Sequence, residues 1–457
     1  MGMVGMVVGG TVCGLLLLAV VGAWSAWFEG FRPKRARHRT AIGKARLETV
    51  SLLRKLTWRN FFEANMRAQN GKPLDRPYGS IGAVFSWDRL QFKPVYLSRP
   101  PLAAETPVET AVELGPQALK PMRLKIPILI GGMAYGSGYS LRAKIALAKA
   151  ATLAGTAANT GNGPFLIEER TFADRLIIQY TRGFWSKTEA ILKKADLIEI
   201  ALGHSARGSA PVRIKGKKIT PEVAERYKTL PGLEVLMEAR LPEVRNAAEW
   251  RQLIQSLKEV GGGVPVGVKF GASQYLEQEL ERFLDGGVDV LSFDGLEGGT
   301  HGGMGLFMDD LGLPIFPALC RAVRYLESQQ VRGRVSLVVG GGLAKPGDFA
   351  KCLALGADAV LLGTITALAQ SHTQTTKCVP WEPPTGLLYN DAKEKEQYDP
   401  DLGALHLYHY LESCVREMQA LARTLGKSSL GDLGPDDLVA LDPLYARIAG
   451  IADVTVS

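Results

Sequence analysis

Three glycine clusters stand at the ends of late apolar runs: DGLEGGTHGG at 294–303, GGG at 340–342 and GT at 363–364. Glycine has no Cβ, so main-chain N–H groups there can approach a bound oxyanion closely. A single such glycine is ordinary turn chemistry. Three clusters in order point to a phosphate-bearing ligand, with Gly341, Gly342, Gly363 and Thr364 as its contacts. Lys269 stands near the end of the apolar run VPVGVKF. A buried lysine needs a partner, because an unpaired charge there is costly. A flavin would use it, since a cation near N1 and the C2 carbonyl stabilises the anionic reduced ring. A salt bridge to Glu199 or Asp294 is the plainer reading of the same residue. His301, between glycines, could donate a proton or bind a carboxylate, and His204 could hydrogen-bond a ring carbonyl or the substrate. Both could equally be solvated loop histidines. Neither is followed by a second His, Asp or Glu at ligand spacing, so no metal site is expected.

These residues need elements to hold them. From Ile126 onward, short apolar runs alternate with helix-like stretches such as SLRAKIALAKAATLAG and PGDFAKCLALGA. The runs are IPILIG, TAAN, LIIQ, LIEIA, VPVGVKF, VDVLSFDG, VSLVVGGG and AVLLGT. Near-continuous apolar strands separated by helices indicate a parallel sheet buried on both faces. Eight such units predict an α/β fold, a (β/α)8 TIM barrel, whose strand ends share one chemical rim. A doubly wound open sheet is the alternative. The stretch 207–251 reads as an insertion after the fourth unit, with its own strand in GLEVLMEA.

Residues 1–28 carry no charged side chain, and seven basic residues without an acid follow between Phe31 and Arg46. The apolar run is long enough for about 30 Å of hydrocarbon at ~1.5 Å per residue. Trp24, Trp27 and Phe28 sit at its end, where aromatic rings favour the interface. A cleaved signal peptide would carry its positive charge before the run. The order predicts an uncleaved anchor with the body in the cytoplasm, and basic residues that also touch lipid headgroups. The net charge of +8 belongs mostly to that segment, so the body lacks the basic face a nucleic-acid partner needs. The expected organisation is an anchor at 1–30, a basic juxtamembrane segment and subdomain at 31–120, the barrel at 121–375 and C-terminal helices at 376–457. In the second region, RLETVSLLRKLTWRNFFEANMRA reads as an amphipathic helix, followed by an irregular Pro-rich stretch. The five cysteines are scattered without CxxC spacing and are expected as free thiols.

From about Leu124 to the C-terminus the chain resembles the FMN-binding domain of the glutamate synthase family, particularly its short single-domain members. KIPILIGGMAYGSGYS is similar to the family's first strand and flavin loop, and GTAANTGNGP to its Asn-Thr-Gly loop. ADLIEIALGHSARGS resembles a strand and loop on the substrate side, and VPVGVKF carries the flavin lysine. FDGLEGGTHGG and VVGGGLAKPGDFAKCLALGADAVLLGT resemble the phosphate-side loops. The resemblance implies FMN on the barrel rim, with Met133, Ala134 and Tyr135 against the ring, and Asn159 and Lys269 at its polar edge. Gly341, Gly342, Gly363 and Thr364 would bind its phosphate. Asn162, Arg207, Gly298 and Gly299 would face the substrate, and Lys269, His301 and His204 would serve catalysis. The implied reaction reduces an imine formed from 2-oxoglutarate and ammonia to glutamate.

The departures from the family pattern fall on the substrate side. Asn162 replaces an acid in Asn-Thr-Gly-Glu, Ala201 replaces a lysine or glutamine, His204 stands at a usual glutamine and Arg207 at a usual lysine. Of the cysteines that hold an iron–sulfur cluster in the large synthases, only Cys378 lies near the expected place, so no cluster is expected. No dinucleotide fingerprint opens a helix, so a separate reductase, ferredoxin or membrane carrier is the expected electron donor. A flavin-free sugar-phosphate enzyme and a membrane-bound flavoprotein without turnover are the competing expectations.

Overall fold

The structure, a computed structural model, describes residues 74–455 apart from 77–78, 81–84, 301 and 376–382, with residues 50–51, 59–60 and 62–69 of the preceding segment. The chain divides into two units, 1–73 and 74–457. In the first, residues 62–69 are helical, and Arg59 pairs with Glu63 one turn on at 2.9 Å. The expected anchor, the basic cluster, Cys13, Cys378 and His301 lie outside the described residues. Among the described residues no helix is long and apolar enough to cross a membrane.

The second unit is built on eight parallel strands: β1 (Ile128–Ile130), β2 (Ala158–Asn159), β3 (Leu176–Tyr180), β4 (Leu197–Ala201), β5 (Val266–Gly271), β6 (Val290–Asp294), β7 (Ser336–Gly340) and β8 (Ala359–Leu362). Each of the eight apolar runs supplies one of them. The hydrogen-bonded order is β1-β8-β7-β6-β5-β4-β3-β2, a nearly closed ring. The ladder is missing only between β1 and β2. There the Thr156 hydroxyl donates to the Ile128 carbonyl at 2.6 Å, bridging the seam. Helices follow the strands, including α1 (Leu141–Ala154), α2 (Ala247–Val260), α3 (Leu276–Gly286), α4 (Ile315–Ser328) and α5 (Pro346–Ala354). Ser140 caps α1 through Ala143 N–H, and Gly155, left-handed at φ +68°, ends it, so the sequence itself marks both ends.

Side chains alternate along a strand, so each strand gives the barrel interior every second residue. Leu129, Ile177, Leu197, Val290, Val338 and Leu361 form an apolar floor. A hairpin of Val112–Leu114 and Met122–Leu124 packs onto that floor through Leu114, Met122 and Leu124. This hairpin was not expected, because three-residue strands are too short to show a period. Likewise Leu90–Phe92, in the stretch read as irregular, pairs antiparallel with Leu438–Ala440. The C-terminal helix α6 (Pro400–Thr424) packs along α1. In the insertion, Val212–Ile214 pairs with Val235–Met237 around a short helix, Pro221–Tyr227. It is shorter than expected, since Ala247 already opens α2, a barrel helix.

Lys144 on α1 and Glu169 are both fully buried and pair at 2.7 Å. Burial pushes the lysine down and the carboxyl up, and their mutual attraction opposes both shifts. The Lys144 ammonium also donates to the Asn159 carbonyl at 2.7 Å, tying α1 to the end of β2. Removing one partner strands the other charge in the core. We therefore expect Lys144→Met to cost about 3–5 kcal/mol. The double variant Lys144→Met with Glu169→Met should recover most of the loss in a urea titration. A single variant as stable as the parent would contradict a buried ion pair here.

Candidate functional site

Above the apolar floor the inward positions change character. On β4 the sequence Leu197, Glu199, Ala201 goes from apolar to charged to small. On β3 Gln179 follows Ile177, on β5 Lys269 follows Gly267, and on β6 Asp294 ends the strand. Gln179, Glu199, Ala201, Lys269 and Asp294 line a cavity of about 410 Å³ at the C-terminal mouth of the barrel.

Lys269 is 6% exposed and pairs with Asp294 at 2.5 Å. Of the two partners considered from sequence, Asp294 is the one in place. An ammonium has three donors, and among the described residues only this one is used. Glu199, 5% exposed, accepts on Oε2 from the Asn159 amide at 3.1 Å and the Gln179 amide at 2.7 Å.

On the opposite side of the mouth lie Gly341, Gly342, Gly363 and Thr364. Gly342 has φ +66°, and a Cβ there would stand 2.9 Å from Glu297 Cβ, so glycine is required. Gly363 differs: a Cβ would meet only the Met133 terminal methyl, at 3.8 Å, and would otherwise fill the cavity. Glu297 lines the same region and accepts from Ile315 N–H at 3.0 Å. Burial raises its carboxyl above the usual range.

The third part of the wall comes from the segment after β4. Arg207 donates twice to the Gly302 carbonyl, through Nε at 3.0 Å and through Nη2. Behind it the buried Arg182 guanidinium donates to the carbonyls of Ser209, Ala210 and Ala239, pinning the insertion to the barrel. Burial, then Arg207, push Arg182 down to about 10. His204 is pushed down to about 3, first by desolvation and then by Arg207, Lys269 and Arg182. Its imidazole is therefore neutral at ordinary pH. Trp185 donates to the Asn162 carbonyl at 2.9 Å and fixes that loop.

Of the residues named from sequence, Met133, Ala134, Asn162, His204, Arg207, Lys269, Gly298, Gly299, Gly341, Gly342, Gly363 and Thr364 all border this one cavity. Two expectations need correction. Tyr135 does not face the cavity: it is 1% exposed, its hydroxyl donates to Glu222 at 3.1 Å, and its ring packs in the insertion's own core. Asn159 is 2% exposed and spends its amide on Glu199 and on Gly161 N–H, so it supports the wall from behind. A third point is qualified, since a neutral His204 hydrogen-bonds and has no imidazolium proton to give. Sequence reasoning missed Gln179, Trp185 and Glu297, and saw Glu199 only as a partner for lysine. A polar residue inside the runs LIIQ and LIEIA was the available signal.

Residues 98–428 match the family model described as the conserved region in glutamate synthase. The chain is similar to a glutamate synthase large subunit-like protein of Rhizobium meliloti, 32% identical over 396 residues, which cover 82% of this chain and 89% of that one. It is also similar to the archaeal-type glutamate synthase (NADPH) of Thermotoga neapolitana, 29% identical over 327 residues. That match covers 71% of this chain and 64% of the relative, which is therefore the longer protein. Among solved structures, a flavocytochrome b2 variant with benzoylformate has a TM-score of 0.51 at 15% identity, covering 79% of this chain and 78% of its own. A chimeric (S)-mandelate dehydrogenase has 0.51 at 19%, covering 77% and 88%. These two likenesses are of fold.

The depressed His204 has a thermodynamic signature. Its ordinary value is 6.5 and its folded value about 3. Below 6.5 the unfolded chain takes up a proton that the folded chain refuses, so stability falls as pH drops from 6.5 towards 3. His204→Gln should flatten that part of the stability profile between pH 7 and pH 5. An imidazole that titrates normally by NMR across that window would refute the assignment.

Proposed function

The chain belongs to the glutamate synthase family, and from that premise we propose that it is an FMN-dependent oxidoreductase reducing a 2-oxoglutarate-derived imine or a related substrate. The observation that carries the reading is the pairing, in one cavity, of a glycine-bordered end with an inward ammonium. Gly363 leaves open the space a side chain would take, and among the described residues Lys269 uses one of its three donors. The cavity volume lies within the ~300–1,000 Å³ usual for small-molecule sites.

FMN, when bound, would supply two-electron exchange with the substrate, which no side chain here offers. Gly341, Gly342, Gly363 and Thr364 would hold its phosphate by backbone N–H groups, and Met133 and Ala134 would lie against the ring. Lys269 would hold negative charge at the pyrimidine edge. On the substrate side Arg207, with Arg182 behind it, makes the wall electropositive, which suits a carboxylate-bearing 2-oxo acid. Neutral His204 can hydrogen-bond a carbonyl or imine there. His301 retains its proposed part as proton donor or carboxylate contact.

A second reading, a flavin-binding protein with altered substrate or lost turnover, is favoured by Ala201. It stands in register with Lys269, where the family pattern has a lysine or glutamine. We further propose that residues 1–30 anchor the chain in the cell membrane with its body cytoplasmic. A separate reductase, ferredoxin or membrane carrier would be its electron donor.

The test is to purify the chain, extract its chromophore and identify it. A yellow protein, bleached by reductant and reoxidised by 2-oxoglutarate plus ammonia, is expected. Gly363→Leu should weaken FMN binding by roughly tenfold or more, since it fills the space intended for ligand. A colourless preparation that cannot be reconstituted with FMN removes the reading. A yellow one that no oxo acid reoxidises transfers it to the second.

A further inference from the structure

Glu199 does more than fill a polar layer. Both amide donors, from Asn159 and Gln179, converge on Oε2. Its other oxygen, Oε1, accepts nothing among the described residues, yet it is not one of the sealed polar atoms, so it opens on the cavity that Glu199 lines. The Gln179 carbonyl, by contrast, is sealed and without a partner. Two donors on one oxygen fix the carboxylate plane and leave the other oxygen turned to the cavity. A carboxylate only accepts, so the wall presents an acceptor that demands an N–H or O–H.

The neighbouring strand narrows the choice. Glu199 is in register with Gly267 on β5, and Ala201 with Lys269. Along this edge an acceptor on β4 therefore adjoins a donor on β5, one inward position further on. An isoalloxazine ring presents the complement, a carbonyl at C2 beside an N–H at N3. Phosphate and carboxylate groups offer acceptors alone and would be repelled by Glu199.

Resting on the flavin reading above, we propose that Glu199 is a flavin-recognition residue whose Oε1 accepts the N3–H of the ring. The Asn159 and Gln179 amides act as positioning residues that aim it. Lys269 and Glu199 then read two adjoining atoms of one ring edge, and this pair, rather than the phosphate end, distinguishes a flavin from other phosphorylated ligands.

The experiment compares FMN with 3-methyl-FMN, in which the N3 donor is blocked, by fluorescence titration of the full chain stripped of its chromophore. The unsubstituted chain should bind the methylated form roughly 10- to 100-fold more weakly. In Glu199→Gln the two amides still demand a carbonyl on their side, so the new NH2 turns to the cavity and meets N3–H donor to donor. FMN affinity should fall, and the discrimination between the two flavins should shrink to within about threefold. A discrimination caused by methyl bulk alone would survive this isosteric change and overturn the inference. Equal binding of both flavins by the unsubstituted chain overturns it without any variant, while leaving the flavin reading intact. A chain that binds neither overturns both. Thermal melts of Glu199→Gln establish that a changed affinity is not a loss of fold.

Discussion

A charge inside a closed barrel has no water to retreat to, so each one must be answered by another group of the protein or by a ligand. The cost of leaving it unanswered is several kcal/mol. That constraint orders the interior here. The floor is mainly apolar, with the buried Ser336 hydroxyl accepting from Gly115 N–H of the hairpin beneath it. Above it, among the described residues, the charge-bearing side chains have partners: Asp294 for Lys269, two amides for Glu199, three carbonyls for Arg182. Lys144 and Glu169 apply the same rule outside the ring, between α1 and the segment after β2. What the partners leave over is the informative part. Among the described residues Lys269 keeps two donors and Glu199 keeps one oxygen, and both residues line the same cavity.

The mouth of the barrel is closed over by segments distant in sequence. Ser80 borders the cavity from the N-terminal side and Tyr389 from the C-terminal side. The insertion is held at two places. Arg182 grips its carbonyls, and Tyr135 reaches into its core, where the Tyr227 hydroxyl donates back to the Tyr135 carbonyl at 2.9 Å. The loop after β1 is thus locked to the insertion, and Met133 and Ala134 are presented by a chain that cannot easily shift. A change in the insertion would be felt at both walls of the cavity.

The barrel was legible in the sequence because its strands are buried on both faces and therefore run apolar, separated by helices whose caps are written in Ser140 and Gly155. The glycine clusters and Lys269 were legible because each breaks a local rule. Other features were not, for physical reasons. Three-residue strands such as Val112–Leu114 carry too little period to be read, and their partners are chosen by packing. The direction of the Tyr135 side chain depends on an insertion some ninety residues later, with Glu222 and Tyr227 as its contacts. Asn159 stands beside the right neighbours but one shell back, because Glu199 and Gly161 claim its amide first. Inward alternation on β3 and β4 was the overlooked signal, since it places Gln179 and Glu199 on the same mouth as Lys269 without any knowledge of loops.

The division of labour around the cavity bears on how such a site can change. The end lined by Gly341, Gly342 and Gly363 would work through backbone N–H groups, and at Gly341 and Gly342, with φ of +120° and +66°, even a single methyl group would strain that backbone. The polar edge works through Lys269 and Glu199, each fixed by partners on adjacent strands. The remaining wall is made by Asn162, Ala201, His204 and Arg207, on loops or strand ends. Burial first, and then the charges of Arg207, Lys269 and Arg182, keep the imidazole there uncharged. Replacing one of these side chains changes what the wall will accept while the strands, and the groups they hold inward, stay as they are. The departures from the family pattern fall on this wall alone, where the fold constrains them least.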